Sequence, residues 1–568
     1  VFNGEIYNHV ELRAELEAEG VVFASDHSDT EVLLHLYRRH GADLVHKLDG
    51  MFAFVLHDAA NRRVLAARDP FGIKPLYLAR DGERVALASE IKALLRHPAL
   101  PARAAAQPLA EYFLLQFVLD DETLFEGVEK LRPGHLLSLD LDRWRVHIEP
   151  WWAPDYTVDP RLDEDAAVEA LRPLLQDAVR RQVRSDVPVG TWLSGGLDSS
   201  LVTALAAPHL GPRPVAFHGL FPDTGAAYSE QAHARSVAHH VGAELVEVPI
   251  GPDGLDTALP CLMSLMDEPA AGPGLYPQFR MAQAARAHVT VVLGGQGGDE
   301  LFGGYTRYLV AYLEQALKGG ILGTHDEGEH VATLHSIVPN LRFLQGYEPL
   351  LQHLWRDGLF GPMEDRYFRL LDRTEGALEL FAPELRARLE GPGKAHLKAR
   401  FDDVFHRPDT ASYLSKMRAF DRIASLPALL HVEDRVTMAV GLESRVPLLD
   451  RHIARLLDRL PPRVVFAGGQ LKRLLRRAAA PWLPASVVER QDKMGFPFPL
   501  NAWLAGPHRD FVADTLLSTR ARQRGLFEPA AVEALVAQGG AFSRKLWGLL
   551  CVELWFRAHI DPPSGDPP

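Results

Sequence analysis

The chain has 568 residues, 47% hydrophobic and 24% charged, with a formal net charge of −13. That length suits two or more domains with full cores. No run of about 18 apolar residues exists, so no membrane-spanning helix is expected, and an acidic balance with no long basic stripe argues against nucleic acid as the main partner. Two cysteines, Cys261 and Cys551, cannot build a disulfide framework or a zinc cluster. They read as buried structural thiols, and a reducing cytoplasm fits. The chain opens Val1-Phe2-Asn3, with no basic n-region of a signal peptide and in what reads as the middle of a domain; an N-terminal piece is expected to be missing.

Residues 1–150 read as β-rich. Met51–His57 and Arg63–Ala67 are short apolar runs around a turn, Leu76–Ala79 and Val85–Ser89 flank the turn signal Asp81-Gly82, and Leu136–Leu139 follows Pro133-Gly134. Helices are expected over His9–Glu19, capped by Asn8, and Asp29–His40, ended by Gly41. An α+β sandwich is the natural architecture. Residues 151–162 form a Pro/Trp linker. Strands at 187–193, 214–219, 244–248 and 289–293 then alternate with helices at 163–184, 229–241, 253–266 and 277–287, which implies a doubly wound parallel sheet. Residues 301–480 are mainly helical in pattern, this second domain runs over 163–558, and the tail 559–568 reads as disordered.

The most informative stretch is Ser194-Gly195-Gly196-Leu197-Asp198-Ser199-Ser200. A strand runs into a glycine turn and a helix begins at the serines, so backbone N–H groups converge on an anion site while Asp198 is placed to hold a metal ion. A Gly/Ser-rich turn before an ordinary helix is the rival reading, and the Walker spacing with its lysine is absent. The stretch resembles the PP-loop of ATP pyrophosphatases. A second acidic loop, Gly294-Gly295-Gln296-Gly297-Gly298-Asp299, also follows an apolar strand; Asp198 and Asp299 would then end neighbouring strands and hold Mg²⁺ between phosphates. Asp299 could equally cap a helix. Lys472 and Lys493 are candidates to balance developing charge, although lysines more often lie on solvated faces.

The ordered motifs SGGLDSS, GGDELFGGY, Asp434-Arg435-Val436-Thr437-Met438, the Leu442–Asp450 stretch and Lys493-Met494-Gly495-Phe496 resemble those of glutamine-hydrolysing asparagine synthetases. The stretches Asn3–Asn8, Ser28–Glu31, Leu48–Ala53 and Arg68–Tyr77 are similar to the class II glutaminase domain, an Ntn-hydrolase-like fold. The resemblance implies a nucleophilic N-terminal cysteine upstream of Val1, an oxyanion hole from Asn3 and Gly4, a glutamine contact at Glu5 and an ammonium-pairing carboxylate at Asp29. For these, a turn at Asn3-Gly4 and a helix N-cap at Asp29 are the plain alternatives. It also implies nucleoside contacts at Leu193, His218, Gly294 and Gly295, with His218 equally readable as a core-edge histidine. Ser194, Gly195, Gly196, Ser199 and Lys472 would hold pyrophosphate, Asp198 and Asp299 Mg²⁺, and Lys493 would stabilise the adenylation transition state.

The reaction so implied adenylates the side chain of aspartate with ATP. Ammonia, released from glutamine and led through an internal tunnel, then gives asparagine, AMP and pyrophosphate. The expected partners are small molecules, with no nucleic acid or membrane, and the assembly expected is a homodimer. One residue departs from the pattern. Gln296 stands where the best-studied asparagine synthetases carry a glutamate suited to take a proton from ammonia, and a carboxamide cannot act as a base. Another proton acceptor, or another acceptor carboxylate such as a peptide, sugar acid or antibiotic precursor, would account for it, with specificity expected within 310–420. An ammonia-only or non-catalytic form stays open, and phosphoribosyl transfer is contradicted by the PP-loop.

Overall fold

A computed structural model of the chain describes residues 1–222, 230–269, 271–322, 348–356, 358, 361–410, 412–490, 499–537 and 544–561. The N-terminal part holds eight strands: β1 (Phe2–Ile6), β2 (Gly50–Asp58), β3 (Arg63–Arg68), β4 (Tyr77–Asp81), β5 (Arg84–Ala88), β6 (Val128–Lys130), β7 (His135–Asp140) and β8 (Arg145–Pro150). They form an antiparallel sheet in the order β1-β2-β3-β7-β8 and a three-stranded sheet β5-β4-β6. The period of two in β2 explains the layering. Phe52 and Phe54 point to one side and pack with Leu12, Leu16, Val32 and Leu36 of the helices His9–Ala18 and Asp29–His40. Ala53 points to the other and packs with Leu78 of the small sheet. The result is the expected α+β sandwich.

Strand β1 was not among the expected elements. Its five residues pair with β2 in antiparallel register, Gly4 opposite Phe52, and only that long-range pairing makes it a strand. Two expected caps are corrected. Asn8 makes no cap; its carboxamide instead accepts from Asp49 N–H (2.9 Å) and donates to the Lys47 carbonyl (2.9 Å), fixing the chain at a distant turn. The N-cap of the second helix is Ser28, whose hydroxyl accepts from Glu31 N–H at 3.3 Å, one residue before Asp29.

The second part is built on a fully parallel sheet of β9 (Val189–Trp192), β10 (Val215–Leu220), β11 (Glu244–Pro249), β12 (Val291–Leu293) and β13 (Glu443–Arg445), in the order β11-β10-β9-β12-β13. Alternation again sends neighbours to opposite faces: Val291 and Leu293 join one apolar cluster, Val292 the other, and helices cover both, as a doubly wound sheet requires. Strand β13 is the unexpected member. It comes some 150 residues after β12 in the chain and adds to the sheet edge through Glu443–Arg445. Cys551 is buried but Cys261 is exposed, against the expectation of two buried thiols; Cys261 falls on an outer position of the helix Leu255–Met266. No helix among the described residues is long and apolar enough to cross a membrane.

The two parts meet through buried charge. Lys74 Nζ lies 2.9 Å from Asp434 Oδ1. Asp267, fully buried, accepts from Ile91 N–H (2.8 Å) and from the Arg435 guanidinium (2.9 Å). Asp49 pairs with Arg181 (2.5 Å) and with Arg451. Trp151, at the start of the Pro/Trp stretch, stacks on Phe52 and donates its indole N–H to the Arg68 carbonyl at 3.1 Å.

Candidate active site

A cleft of about 970 Å³ opens at the carboxyl ends of β9, β10 and β12, where open α/β sheets bind ligands. The PP-loop forms its floor. Gly195 has φ +82°, and a Cβ there would lie 2.7 Å from Ala234 N, so only glycine lets the loop pass beneath the helix Gln231–Val241. Ser194 and Ser199 join hydroxyl to hydroxyl at 2.9 Å, and Ser199 Oγ accepts from Ser194 N–H at 3.1 Å. The helix Leu197–Ala206 then starts at the cleft with no side-chain cap, so its first turn carries the N–H groups that a helix leaves without an intrahelical partner. Arg490 clamps the loop from outside, donating to the Gly195 carbonyl (3.3 Å) and pairing with Glu230 (2.8 Å).

The second loop packs directly on the first. A Cβ on Gly295 would come 2.7 Å from Ser199 N, and one on Gly298 2.7 Å from the Asp198 carboxyl carbon. The adjacency of β9 and β12 thus brings Asp198 and Asp299 together, as their place in the sequence suggested. Lys472 Nζ bridges them, bonded to Asp198 and 2.6 Å from Asp299. Lys472 is only 2% exposed, which corrects the solvated-face reading. It takes the left-handed conformation (φ +53°) just ahead of the helix Arg473–Ala479 and so turns inward, away from the basic face of that helix. Asp299 is in the first turn of the helix Gly298–Phe302, whose N-cap is Gly297.

These carboxylates fit a hard divalent cation. Both are oxygen donors converging on one positive charge, and the space is a cradle in which a Cβ at Gly304 would lie 2.0 Å from Asp299 Oδ1. No group of three or more His, Cys, Asp or Glu suited to a metal gathers among the described residues. A cation here would therefore take its remaining ligands from phosphate and water.

Leu193 and His218, where the resemblance implies nucleoside contacts, both line the cleft. Burial pushes the His218 pKa down, so the ring is neutral. Its Nδ1 lies 2.9 Å from the Leu193 carbonyl and must carry the hydrogen, leaving the buried Nε2 as an acceptor with no hydrogen bond from the described protein. Trp192 meets Phe217 edge-to-face beside it. The cleft wall also carries Arg307, which pairs with Asp421 at 2.7 Å, and Arg373 and Arg544. Burial, with repulsion from Arg544 and Arg307, lowers the Arg373 guanidinium to about 9. Lys493 lies outside the described residues.

Sequence reasoning did not find this arginine wall, nor Arg490, nor Glu433, which reaches the cleft from the helix Leu426–Met438. Glu433 directly precedes the Asp434–Met438 motif, and that adjacency was the only sequence signal.

The residues for which the resemblance implies glutamine contacts lie on β1 and at the start of the helix Asp29–His40. Gly4 has φ +139°, and a Cβ would lie 2.0 Å from the Met51 carbonyl oxygen, so the position demands glycine. Asn3 donates through its carboxamide to Ser89 Oγ at 3.3 Å. Asp29 accepts from Ile6 N–H at 3.1 Å, which brings its carboxylate beside Glu5. Burial raises the Glu5 pKa to about 7 despite Arg445, whose guanidinium lies 3.7 Å away. That arginine links the two sites: it also pairs with Glu443 (2.7 Å), and its own carbonyl accepts from Gly294 N–H at 2.8 Å. Between the parts lies a second cavity of about 470 Å³, and Phe117, Ala271 and Ala428 line both it and the cleft.

A glutaminase-type sandwich joined to a PP-loop sheet of this order defines a glutamine-dependent amidotransferase of the ligase class. The comparisons agree. The asparagine synthase family model matches residues 170–557, and the glutamine amidotransferase domain model residues 1–152. The chain belongs to the asparagine synthase family. It is 34% identical to a putative glutamine-hydrolysing asparagine synthetase of Mycobacterium tuberculosis (strain ATCC 25618 / H37Rv), over 99% of this chain and 84% of that protein. It is 32% identical to the glutamine-hydrolysing asparagine synthetase 1 of Bacillus subtilis (99% and 85%) and 26% identical to the amidase chry2 of Gibberella zeae (96% and 83%). The solved glutamine phosphoribosylpyrophosphate amidotransferase of B. subtilis, complexed with ADP and GMP, matches 44% of this chain and 45% of its own at 20% identity and a TM-score of 0.20, too low a likeness to bear on the fold.

Proposed function

We propose that the protein adenylates the side-chain carboxylate of aspartate with ATP and amidates it with ammonia drawn from glutamine, giving asparagine, AMP and pyrophosphate. The observation that carries this reading is the convergence of Ser194–Ser199, Asp198, Asp299 and Lys472 on one point at the strand ends. The N–H groups at the start of the helix Leu197–Ala206 and the two PP-loop hydroxyls would hold the β- and γ-phosphates. Mg²⁺ held by Asp198 and Asp299 would neutralise phosphate charge. Lys472, released from those carboxylates, would then turn to the leaving pyrophosphate, and Lys493 would serve the α-phosphate.

His218 Nε2, Leu193, Gly294 and Gly295 would take the nucleoside. The acceptor carboxylate attacks the α-phosphorus, pyrophosphate leaves, and ammonia displaces AMP from the acyl-adenylate. The arginine wall suits an acceptor with a second negative group, as aspartate has. On the glutaminase side, Asn3 and Gly4 would stabilise an oxyanion, Glu5 would contact the glutamine and Asp29 would take its ammonium group. The cavity between the parts offers a course for ammonia.

Gln296 favours a second reading, the same chemistry on another carboxylate. Isotope exchange between pyrophosphate and ATP, measured across a panel of carboxylates with Mg²⁺ present, separates the two. Aspartate-dependent exchange is expected. Exchange that ignores aspartate but answers to another acid would establish the second reading, and no acid-dependent exchange would remove both.

A further inference from the structure

Amidation of an acyl-adenylate must shed a proton. The C–N bond forms as the C–O bond to AMP breaks, AMP leaves with the electron pair, and the nitrogen gives up one hydrogen. Gln296 cannot accept it. The described cleft lining offers four carboxylates, Asp198, Glu230, Asp299 and Glu433, and one imidazole. Lys472 engages Asp198 and Asp299, which stand at the phosphate end. Arg490 engages Glu230 at 2.8 Å. The His218 ring is turned to the Leu193 carbonyl.

Glu433 differs from all of these. Its carboxylate is held by a neutral donor, the Ser444 hydroxyl at 2.5 Å, while its chain neighbour Asp434 turns to Lys74. Glu433 Oε1 lies 3.2 Å from the point where a Cβ of Gly294 would stand, against the loop that carries Gln296.

We propose that Glu433 is the group that accepts the proton from ammonia as the amide forms, in the place that Gln296 leaves vacant. This rests on the amidotransferase reading above. Burial raises the Glu433 pKa against the opposing Ser444 hydrogen bond, with Asp434 adding to the rise, and a carboxyl moved toward neutrality is a better proton acceptor at neutral pH. Ser444 is on β13 and Gly294 follows β12, so the late-arriving fifth strand sets the distance between base and loop.

The test uses the full chain with MgATP, L-aspartate and ammonium chloride, reading pyrophosphate exchange and amide formation separately. Glu433→Gln is expected to keep exchange within about threefold while amide formation falls by about 10²–10⁴, the usual worth of general acid–base catalysis. Gln296→Glu in that background is expected to restore at least part of the loss. Equal loss in both readouts assigns Glu433 to ATP binding or to structure and overturns the proposal, as does amidation at the unmodified rate. An unmodified chain with no acid-dependent exchange removes the amidotransferase reading first, and this inference with it.

Discussion

Replacing Lys472 by methionine is expected to slow pyrophosphate exchange by about 10²–10³-fold, the loss seen when one preorganised charge or donor leaves a transition state. The physical argument lies in where the sheet puts it. Strands β9 and β12 are neighbours, so Asp198 and Asp299 arrive side by side, and Lys472 is inserted between them at 2% exposure. In that enclosed place its charge acts in a lower effective dielectric than on the surface, and no other lysine among the described residues lines the cleft. Methionine keeps the length and the apolar stem but removes the cation. Arginine is not a neutral replacement, because its planar fork does not fit a space made for an ammonium. Steady-state exchange at saturating Mg²⁺ measures the effect. Exchange within threefold of the unmodified chain would show that the cation serves only to neutralise the two carboxylates at rest.

The second large effect is on stability. Lys74→Met is expected to cost about 3–5 kcal/mol, because it leaves Asp434 charged, enclosed and without its counter-ion. The side chains of Lys74 and Asp434 are 2% and 10% exposed. Burial alone would lower the lysine pKa, yet Asp434, with Glu443 and Asp69, more than offsets it and raises the value. The pair therefore ties the glutaminase sandwich to the helix Leu426–Met438 as an ion pair. The shift of the urea midpoint at unchanged slope reads the cost. The double variant Lys74→Met/Asp434→Leu is expected to recover most of it, since removing both charges leaves no unpaired ion. A single variant as stable as the parent would mean that water reaches Asp434.

Most of the architecture could be read from local sequence because local physics sets it. The apolar run Met51–His57 announces a sandwich strand, and the stretch from Val187 to Ser200 announces a strand, a glycine turn and a helix. The segments that escaped depend on distant partners. Phe2–Ile6 is a strand only opposite β2, and Glu443–Arg445 only beside β12. Lys472 lies among arginines at helical spacing and reads as surface, but a single left-handed residue turns it inward. Asn8 looked like a helix cap and instead bridges to Asp49. The candidate site followed the same rule. Its loops were legible from their glycines, whereas Glu433, Arg307 and Arg544 come from helices, and Arg373 and Arg490 from the stretches just after helices, with no local signature of a cleft.

The central claim is that a carboxylate is activated as an acyl-adenylate before nitrogen arrives. Aspartate labelled with ¹⁸O in its side-chain carboxylate, turned over with MgATP and ammonium chloride, tests this most directly, with the products read by mass spectrometry. One labelled oxygen in each AMP is predicted, because the oxygen that attacks phosphorus leaves with it. Unlabelled AMP, or label found in inorganic phosphate beside ADP, would contradict the account.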